Sequence, residues 1–181
     1  MPLLGAHTSI AGGLERALER GGETGCDVIQ IFTAGSRQWR SRRIGPREIE
    51  AFHEAQERTA VRPVSVHTHY LINLASPSPE LFERSLEALA EELERTALLG
   101  IPYVVLHPGS HVGSGERSGL KRITGALDRV LKGGEDPSPT ILLEITAGQG
   151  TGLGYRLEHL AEIIQGSADG ARLGVPLDTC H

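Results

Sequence analysis

Short apolar runs alternate with longer amphipathic stretches along almost the whole chain, and this alternation limits its fold more than any other feature. The apolar runs are bounded by Gly, Pro or polar residues and are predicted to be strands: Leu3–Gly5, Val28–Phe32, Val64–Val66, Tyr103–Leu106, Ile141–Leu143 and Leu173–Leu177. The amphipathic stretches are predicted to be helices: Leu14–Thr24, Pro46–Ala60, Pro79–Leu99, Leu120–Leu131 and Tyr155–Ile164. Strands and helices interleaved in this way form repeated right-handed βα units around a parallel sheet.

The third predicted helix has the clearest boundaries. Ser78 is placed to cap its first turn, Pro79 suits the first helical position, and Gly100 follows its end. Leucines recur along it at helical spacing, and the Glu and Arg residues between them are predicted to face solvent. The apolar stripe is formed by Leu81, Leu86, Leu89, Leu93 and Leu98.

Four predicted strands lead directly into residues that can bind a metal ion. His67 and His107 follow the third and fourth strands, Glu144 follows the fifth, and the sixth runs into LDTCH, which contains Asp178 and His181. A single histidine after a strand is more often structural, but two at matching positions of neighbouring strands, followed by carboxylates, favour a metal site. Imidazoles combined with carboxylates suit Zn²⁺ or Mn²⁺.

A parallel sheet of this kind is either open and doubly wound or closed into a (βα)8 TIM barrel. An open sheet gathers functional residues at its topological switch point, whereas a barrel directs every strand's carboxyl end to one mouth. Candidate ligands that leave four consecutive strands therefore favour the barrel. A complete barrel has eight units and about 250 residues. We expect the 181 residues to form a single domain, 1–181, that holds the first six units of an incomplete barrel.

The second candidate site is a basic segment after the second strand, SRQWR, in which Arg37, Gln38 and Arg40 surround the only tryptophan, Trp39. Arginines mixed with polar and aromatic residues in a loop at the mouth suit contacts with phosphates and entry into a groove of DNA. The alternative is a solubilising loop in which Trp39 covers the core. More basic residues follow: Arg42, Arg43 and Arg47.

Two residues after the third strand are also candidates for nucleic-acid contact. Tyr70 and Leu71 place a large ring and an apolar side chain in a loop close to the His67 strand. Apolar side chains on such loops can insert between base pairs. Taken alone this is a weak signal.

The remaining histidines are less favoured as ligands. His7 ends the first strand and is expected at the mouth, as a neighbour of the ligands or a substrate contact. His69 and His111 lie in loops near ligands and fit either role. His53 and His159 fall within helical patterns and are expected on solvated faces.

Composition excludes several classes of protein. The chain is 39% hydrophobic and 23% charged, and no apolar run is long enough to cross a bilayer. Its N-terminus lacks the features of a secretory signal, so a cytoplasmic protein is expected. The net charge of −5 argues against nonspecific coating of nucleic acid, although a local basic patch remains compatible with it. Cys26 and Cys180 are too few for a disulfide framework.

Several motifs spread over the chain together resemble the endonuclease IV family of abasic-site repair enzymes. HPGSH and DTCH are specific to that family in this order, and the matches extend from residue 5 to residue 181. The motifs, in chain order, are GAHTSIAGG, IFTAGSRQWR, YLINLASP, HPGSH, TAGQG and LDTCH.

The resemblance implies a TIM barrel with a centre of three zinc ions, in an enzyme that acts on double-stranded DNA. Such an enzyme hydrolyses the phosphodiester 5′ to an abasic site, leaves a 3′-hydroxyl, and trims 3′-blocking groups. Glu144 matches the bridging carboxylate, the catalytic residue, and Arg37, Gln38, Tyr70 and Leu71 match positions that contact DNA. The metal ligands implied by the resemblance are His67, His107, Glu144, Asp178 and His181.

The chain departs from the family pattern in two respects. Ile145 stands where the family has an asparagine after the glutamate. The further ligands that the family draws from strands seven and eight fall outside these residues, so a truncated barrel is expected. Two rival hypotheses remain: a metal-dependent sugar isomerase or epimerase, which would not need the basic segment, and an inactive remnant. A monomer is expected.

Overall fold

The computed structural model describes residues 1–132 and 138–179. Within these residues lie eight strands: β1 (Gly5–His7), β2 (Val28–Ile31), β3 (Arg62–His67), β4 (Tyr103–Leu106), β5 (Gly109–Ser110), β6 (Thr140–Leu143), β7 (Gly152–Leu153) and β8 (Leu173–Gly174). Five α-helices and a 3₁₀ turn connect them: α1 (Leu14–Glu23), α2 (Pro46–Thr59), α3 (Pro79–Leu98), α4 (Glu116–Lys132), α5 (Leu157–Gly166) and the turn Gly170–Arg172.

Six strands form one sheet in the order β1-β2-β3-β4-β6-β8, and each neighbouring pair is parallel. The predicted parallel sheet with interleaved helices is therefore confirmed. Because the strands are parallel, their carboxyl ends meet at one edge of the sheet. The register places His67 opposite Val105 and Leu106 opposite Leu143, so the residues that follow β4 and β6 leave the sheet at the same level.

The apolar core lies between the sheet and the helices, in two clusters. One joins α1 and α2 to the early strands and includes Leu18, Ile29, Ile31, Phe52 and Val66. The other joins the later helices to the later strands and includes Leu89, Val104, Ile123, Leu127 and Ile141. Burial of these side chains fixes each helix on the sheet and so determines where each strand delivers its terminal residue.

The first and last strands of the sheet differ from the prediction. Strand β1 runs from Gly5 to His7 rather than from Leu3 to Gly5. Its partner strand β2 begins at Val28, which pairs with Gly5, so no residue of β2 is available to pair with Leu3. Strand β8 ends at Gly174 rather than Leu177, and Pro176, which lacks an amide hydrogen, follows closely. In addition, α4 begins four residues before the predicted Leu120, at Glu116.

Three polar side chains predicted to face solvent are buried. His159, on α5, is 4% exposed, because its ring packs edge-on against Tyr155 and its Nδ1 accepts a hydrogen bond from the Gly154 amide. Glu92 and Arg95 of α3 are 4% and 8% exposed, because they lie on the side of the helix that meets the β2–α2 connection. Ser78 caps α3 as predicted, since its hydroxyl accepts from the Leu81 amide.

Two short strands form a second sheet that the sequence analysis did not predict. Strands β5 and β7 are antiparallel and pair Gly109 with Leu153 and Ser110 with Gly152. They belong to the connections that follow β4 and β6, so they tie together the two loops that carry His107 and Glu144. Within residues 1–132 and 138–179, no helix is long and apolar enough to cross a membrane.

Candidate metal centre

Three of the predicted ligands meet at the carboxyl edge of the sheet. His67 is the last residue of β3, His107 directly follows β4, and Glu144 directly follows β6. One ligand atom from each lies within 4.8 Å of those of the other two. The sheet hydrogen bonds continue to this level, because the Glu144 amide donates to the Leu106 carbonyl. Neighbouring strands in parallel register thus bring the three side chains together.

The possible metal-ligand atoms of the two histidines lie around the carboxylate of Glu144. Its Oε2 lies 2.6 Å from His107 Nε2 and 3.3 Å from His67 Nε2. His67 Nδ1 lies 2.7 Å from the Thr68 carbonyl, which only accepts, so Nδ1 carries a proton and donates it. When its ring is neutral, His67 therefore turns the lone pair of Nε2 toward the carboxylate. A nitrogen lone pair and a carboxylate oxygen that face each other are both acceptors, so a proton or a cation must lie between them. Two imidazole nitrogens and a carboxylate are also ligand types that fit a metal ion.

Glu144 is the most strongly perturbed carboxyl of the site. It is 8% exposed, and this burial would raise its pKa. The hydrogen bonds and positive charge of His107 and His67 outweigh burial and lower the pKa of Glu144 to about 2. The side chain is therefore ionised over the whole physiological range, as a metal ligand must be.

The other two predicted ligands have a different status. Asp178 is half-buried, four residues beyond the end of β8, and it does not belong to the group of three whose ligand atoms lie within 4.8 Å. His181 lies outside the described residues, as does Cys180. Ile145, next to Glu144, turns its side chain into the apolar core.

Aromatic rings line the cluster on the side of β1 to β3. The ring of Phe32 lies 5.6 Å from that of His67 and 5.6 Å from that of Tyr70. Tyr70 also approaches the rings of His67 and His107, at 5.5 and 6.0 Å, while 56% of it remains exposed. Tyr70 is thus both a wall of the candidate metal centre and a surface residue.

The two segments predicted to contact DNA are joined to each other. The backbone amide of Tyr70 donates a 3.0 Å hydrogen bond to the Ser36 carbonyl, and the rings of Trp39 and His69 meet edge to face at 5.3 Å. Trp39 is partly buried against the core, as the alternative for this residue predicts. Among the predicted contacts, Leu71 is half-buried, and the exposed ones are Arg37, Gln38, Arg40 and Tyr70.

The other loop histidines take structural roles. His111 Nδ1 accepts from the Gly115 amide and so stabilises the turn before α4. His69 Nδ1 accepts from the Leu71 amide, while its buried Nε2 has no hydrogen-bond partner in the part of the chain described. Burial lowers the pKa of His69 and so favours the neutral form of its ring. His53 is exposed on α2, as predicted.

A chain of polar side chains beside the centre was missed. His7 ends β1, as predicted, and its Nδ1 lies 3.1 Å from Gln30 Nε2, while the Ser65 hydroxyl donates to Gln30 Oε1 at 2.9 Å. Because the Gln30 oxygen is occupied by Ser65, the Gln30 amide nitrogen donates to His7. The available signal was a polar residue inside each of two otherwise apolar strands, VIQI and VSVH.

The geometry of the loop after His107 explains the glycine in the HPGSH motif. Gly109 adopts φ +121°, and a Cβ there would collide with the Oδ1 atom of Asn73. Asn73 uses that oxygen to accept from the Ser110 and Ala75 amides, at 2.8 and 3.0 Å. Its Nδ2 group donates to the Ser110 carbonyl at 3.0 Å. The motif thus fixes the loop after His107 against the loop after His67.

Comparison with known proteins identifies the family. The family described as xylose isomerase-like TIM barrels matches residues 18–181. A protein of Chloroflexus aurantiacus named "Probable endonuclease 4" is 51% identical over 181 residues, which are 100% of this chain and 64% of that protein. A protein of the same name from Geobacter sp. strain M21 is 50% identical over 183 residues, again 64% of its length. The chain therefore spans about two-thirds, 64%, of these curated relatives.

Solved structures agree with this assignment. The crystal structure of endonuclease IV from Thermus thermophilus superposes with a TM-score of 0.85 at 39% identity, over 99% of this chain and 64% of that one. A D-tagatose 3-epimerase-like protein superposes with a TM-score of 0.77 at 23% identity, over 98% of this chain and 66% of that one, which shows a shared fold only. The six-stranded sheet is thus the corresponding part of a TIM barrel, and the chain belongs to the xylose isomerase-like TIM-barrel family, within it to the endonuclease IV group.

Proposed function

We propose that the whole protein is a metal-dependent DNA repair endonuclease. Its substrate would be double-stranded DNA that contains abasic sites, with hydrolysis of the phosphodiester 5′ to the lesion, a 3′-hydroxyl product, and removal of 3′-blocking groups. The observation that carries this proposal is the position of the His67–His107–Glu144 group beside a surface formed by Tyr70 and the exposed arginines. The endonuclease 4 name of its relatives supports the same reading.

The metal that we propose is Zn²⁺, as three ions, with Mn²⁺ as the alternative. His67, His107 and Glu144 would hold the ions, with Glu144 as the catalytic carboxylate, and Asp178 and His181 would complete the part of the ligand set in this chain. Bound metal would neutralise phosphate oxygens and acidify water, which removes the main barrier to phosphodiester hydrolysis. Imidazole nitrogens with carboxylate oxygens suit zinc better than magnesium.

The chain's own side chains would bind and orient the DNA. Arg37 and Arg40 would contact phosphates, and Gln38 lies between them on the same exposed turn. Tyr70 would occupy the space left by the missing base, because its ring is exposed and lies close to the ring of His107, and the half-buried Leu71 would contact the DNA beside it. The Thr68 carbonyl would keep His67 in the tautomer that binds metal. We propose a cytoplasmic monomer.

The test is incision of a duplex that carries one abasic-site analogue, with an undamaged duplex of the same sequence as control. We expect cleavage 5′ to the analogue, extension of the product by a DNA polymerase, loss of activity with a chelator, and recovery with Zn²⁺. Failure to incise at full metal loading would overturn the proposal. Interconversion of ketose sugars under the same conditions would favour the epimerase alternative instead.

A further inference from the structure

Two charged residues on α3 are buried without contributing to the metal centre. Glu92 is 4% exposed and Arg95 is 8% exposed. Side chains of this kind are almost never fully buried unless they have polar partners. Their partners belong to the connection between β2 and α2, residues 32–45, which carries Arg37 and Arg40 and is called the basic loop below.

Arg95 binds both ends of the basic loop with one guanidinium group. Its Nε donates to the Thr33 hydroxyl at 2.8 Å, and its two terminal nitrogens donate to the carbonyls of Thr33 and Arg42. Thr33 stands just after β2, whereas Arg42 stands near the start of α2. The planar fork of arginine suits this task, because its donors point in several fixed directions at once.

The Thr33 hydroxyl connects Arg95 to Glu92. It accepts from Arg95 Nε and donates to the Glu92 carboxyl, so all three side chains form one hydrogen-bonded network. Burial raises the pKa of Glu92 in spite of the hydrogen bond from Thr33 and the charge of Arg95. The buried carboxyl of Glu92 and the buried guanidinium of Arg95 thus share the Thr33 hydroxyl at the start of the basic loop.

Further contacts hold the middle and the end of the loop. The Arg84 guanidinium, also on α3, lies 4.4 Å from the centre of the Trp39 ring, which meets His69 on another side. Arg42 forms two 2.5 Å hydrogen bonds with Glu48 in the first turn of α2. Beneath the loop lies a cavity of about 440 Å³, whose lining includes Leu14 of α1. The cavity leaves this side of the loop without close packing, so the polar contacts of Arg95 and Arg42 help to hold the loop there.

We propose that the Thr33–Glu92–Arg95 network is a positioning device that holds the basic loop in the shape that contacts DNA phosphates. The identity of the ligand rests on the proposed function. A loop fixed before binding loses less conformational entropy when DNA binds, so the network acts on affinity. None of its hydrogen bonds within the described residues reaches a candidate metal ligand, so we expect it to leave the chemical step unchanged.

Matched substitutions in the whole protein test this inference. Thr33→Val keeps the shape of the side chain and removes the hydroxyl, whereas Thr33→Ser retains it. Arg95→Lys keeps a basic side chain and removes the planar guanidinium group. Its control is Arg129→Lys on α4, the same substitution at an exposed arginine that pairs with Glu83. The readouts are amide hydrogen exchange across the protein, metal content, and kcat and KM on a duplex with an abasic-site analogue.

We expect Thr33→Val and Arg95→Lys to accelerate exchange of the loop amides and to raise KM, each by about tenfold, with kcat and metal content unchanged. Thr33→Ser and Arg129→Lys should match the wild type. Unchanged exchange of the loop amides would overturn the inference, because the network would then not stabilise the loop. Acceleration spread evenly over the helices would also overturn it, because the network would then stabilise the core rather than the loop. If the wild-type protein binds no abasic DNA, the proposed function fails, while loop exchange still decides whether the network positions the loop.

Discussion

The backbone amide of Tyr70 donates a 3.0 Å hydrogen bond to the carbonyl of Ser36. This bond joins the loop after β3, which begins beside the candidate metal ligand His67, to the basic loop. The exposed ring of Tyr70 and the exposed arginines therefore occupy fixed positions relative to the candidate metal centre. We therefore expect a molecule that touches both loops to lie close to the candidate metal centre.

Removal of a ligand should abolish both metal binding and DNA cleavage. We expect His107→Ala and Glu144→Ala to lower cleavage of abasic DNA by more than about a hundredfold, since even partners of metal ligands typically contribute up to that factor. Metal analysis of the purified variants should show a parallel loss. His53→Ala, at an exposed position of α2, is the control. Wild-type cleavage in both variants with full metal content would contradict the assignment.

The arginines of the basic loop should act through phosphate contacts. Replacing Arg37 and Arg40 by alanine should weaken DNA binding and reduce the slope of log affinity against log salt by about 0.9 for each lost contact. The measurement is a titration of binding at several salt concentrations. Arg58→Ala, which removes one positive charge from an ion pair with Glu19, should leave the slope unchanged. An unaltered slope in the double variant would exclude these arginines as phosphate contacts.

Tyr70 should determine recognition of the lesion rather than general affinity. Tyr70→Ala should reduce the preference for abasic over intact duplex, because the exposed ring can fill the gap left by a missing base. The salt slope should stay constant, since no charge is lost. Tyr103→Ala, at the start of β4 and hence at the opposite edge of the sheet, is the matched control. A change in the salt slope alone would show that Tyr70 does not fill the gap left by the missing base.

The low pKa of Glu144 predicts how stability depends on pH in the metal-free protein. The folded-state pKa is about 2, below the ordinary value of 4.5, so the stabilisation from ionised Glu144 is fully present above about pH 4.5 and disappears as the pH falls toward 2. The advantage of wild type over Glu144→Gln should decline across that window, by at most about 3 kcal/mol. Urea unfolding at several pH values measures it, with Glu54→Gln as a charge-matched control. A constant difference would be inconsistent with the shift.

The sequence could predict where the three central strands end, and hence that His67, His107 and Glu144 lie together in a candidate metal group. His67, His107 and Glu144 follow parallel strands, and parallel register alone brings such residues together. The position of Asp178 could not be predicted in this way, because β8 stops at Gly174 and an irregular segment intervenes. Strand periodicity carries no information about where such a segment turns.

Helical periodicity also failed at polar residues. Glu92 and Arg95 stand next to Glu91 and Glu94 on α3, so a pattern of residue types assigns them to solvent, although the structure buries both. Their partners belong to the distant basic loop, so only the tertiary structure shows what satisfies their charges. His159 differs, because its partners are close in sequence: the Gly154 amide and the ring of Tyr155 contact it from the turn before α5.

The glycine of HPGSH should be required for stability and for metal binding. Gly109→Ala must place a side chain at φ +121° and displace Asn73, which would break the hydrogen bonds between the loops after His67 and His107. Backbone strain and lost hydrogen bonds together should destabilise the protein by about 3 kcal/mol.

Gly113→Ala is the matched control for this substitution. Its φ is also positive, +81°, but a Cβ at Gly113 meets no atom within 4 Å, so only the strain of about 1 kcal/mol remains. Thermal unfolding and zinc titration of both variants separate the two effects, because His107 lies two residues before Gly109. Equal stability and equal zinc affinity in the two variants would show that the contact with Asn73 does not hold the metal ligands in place.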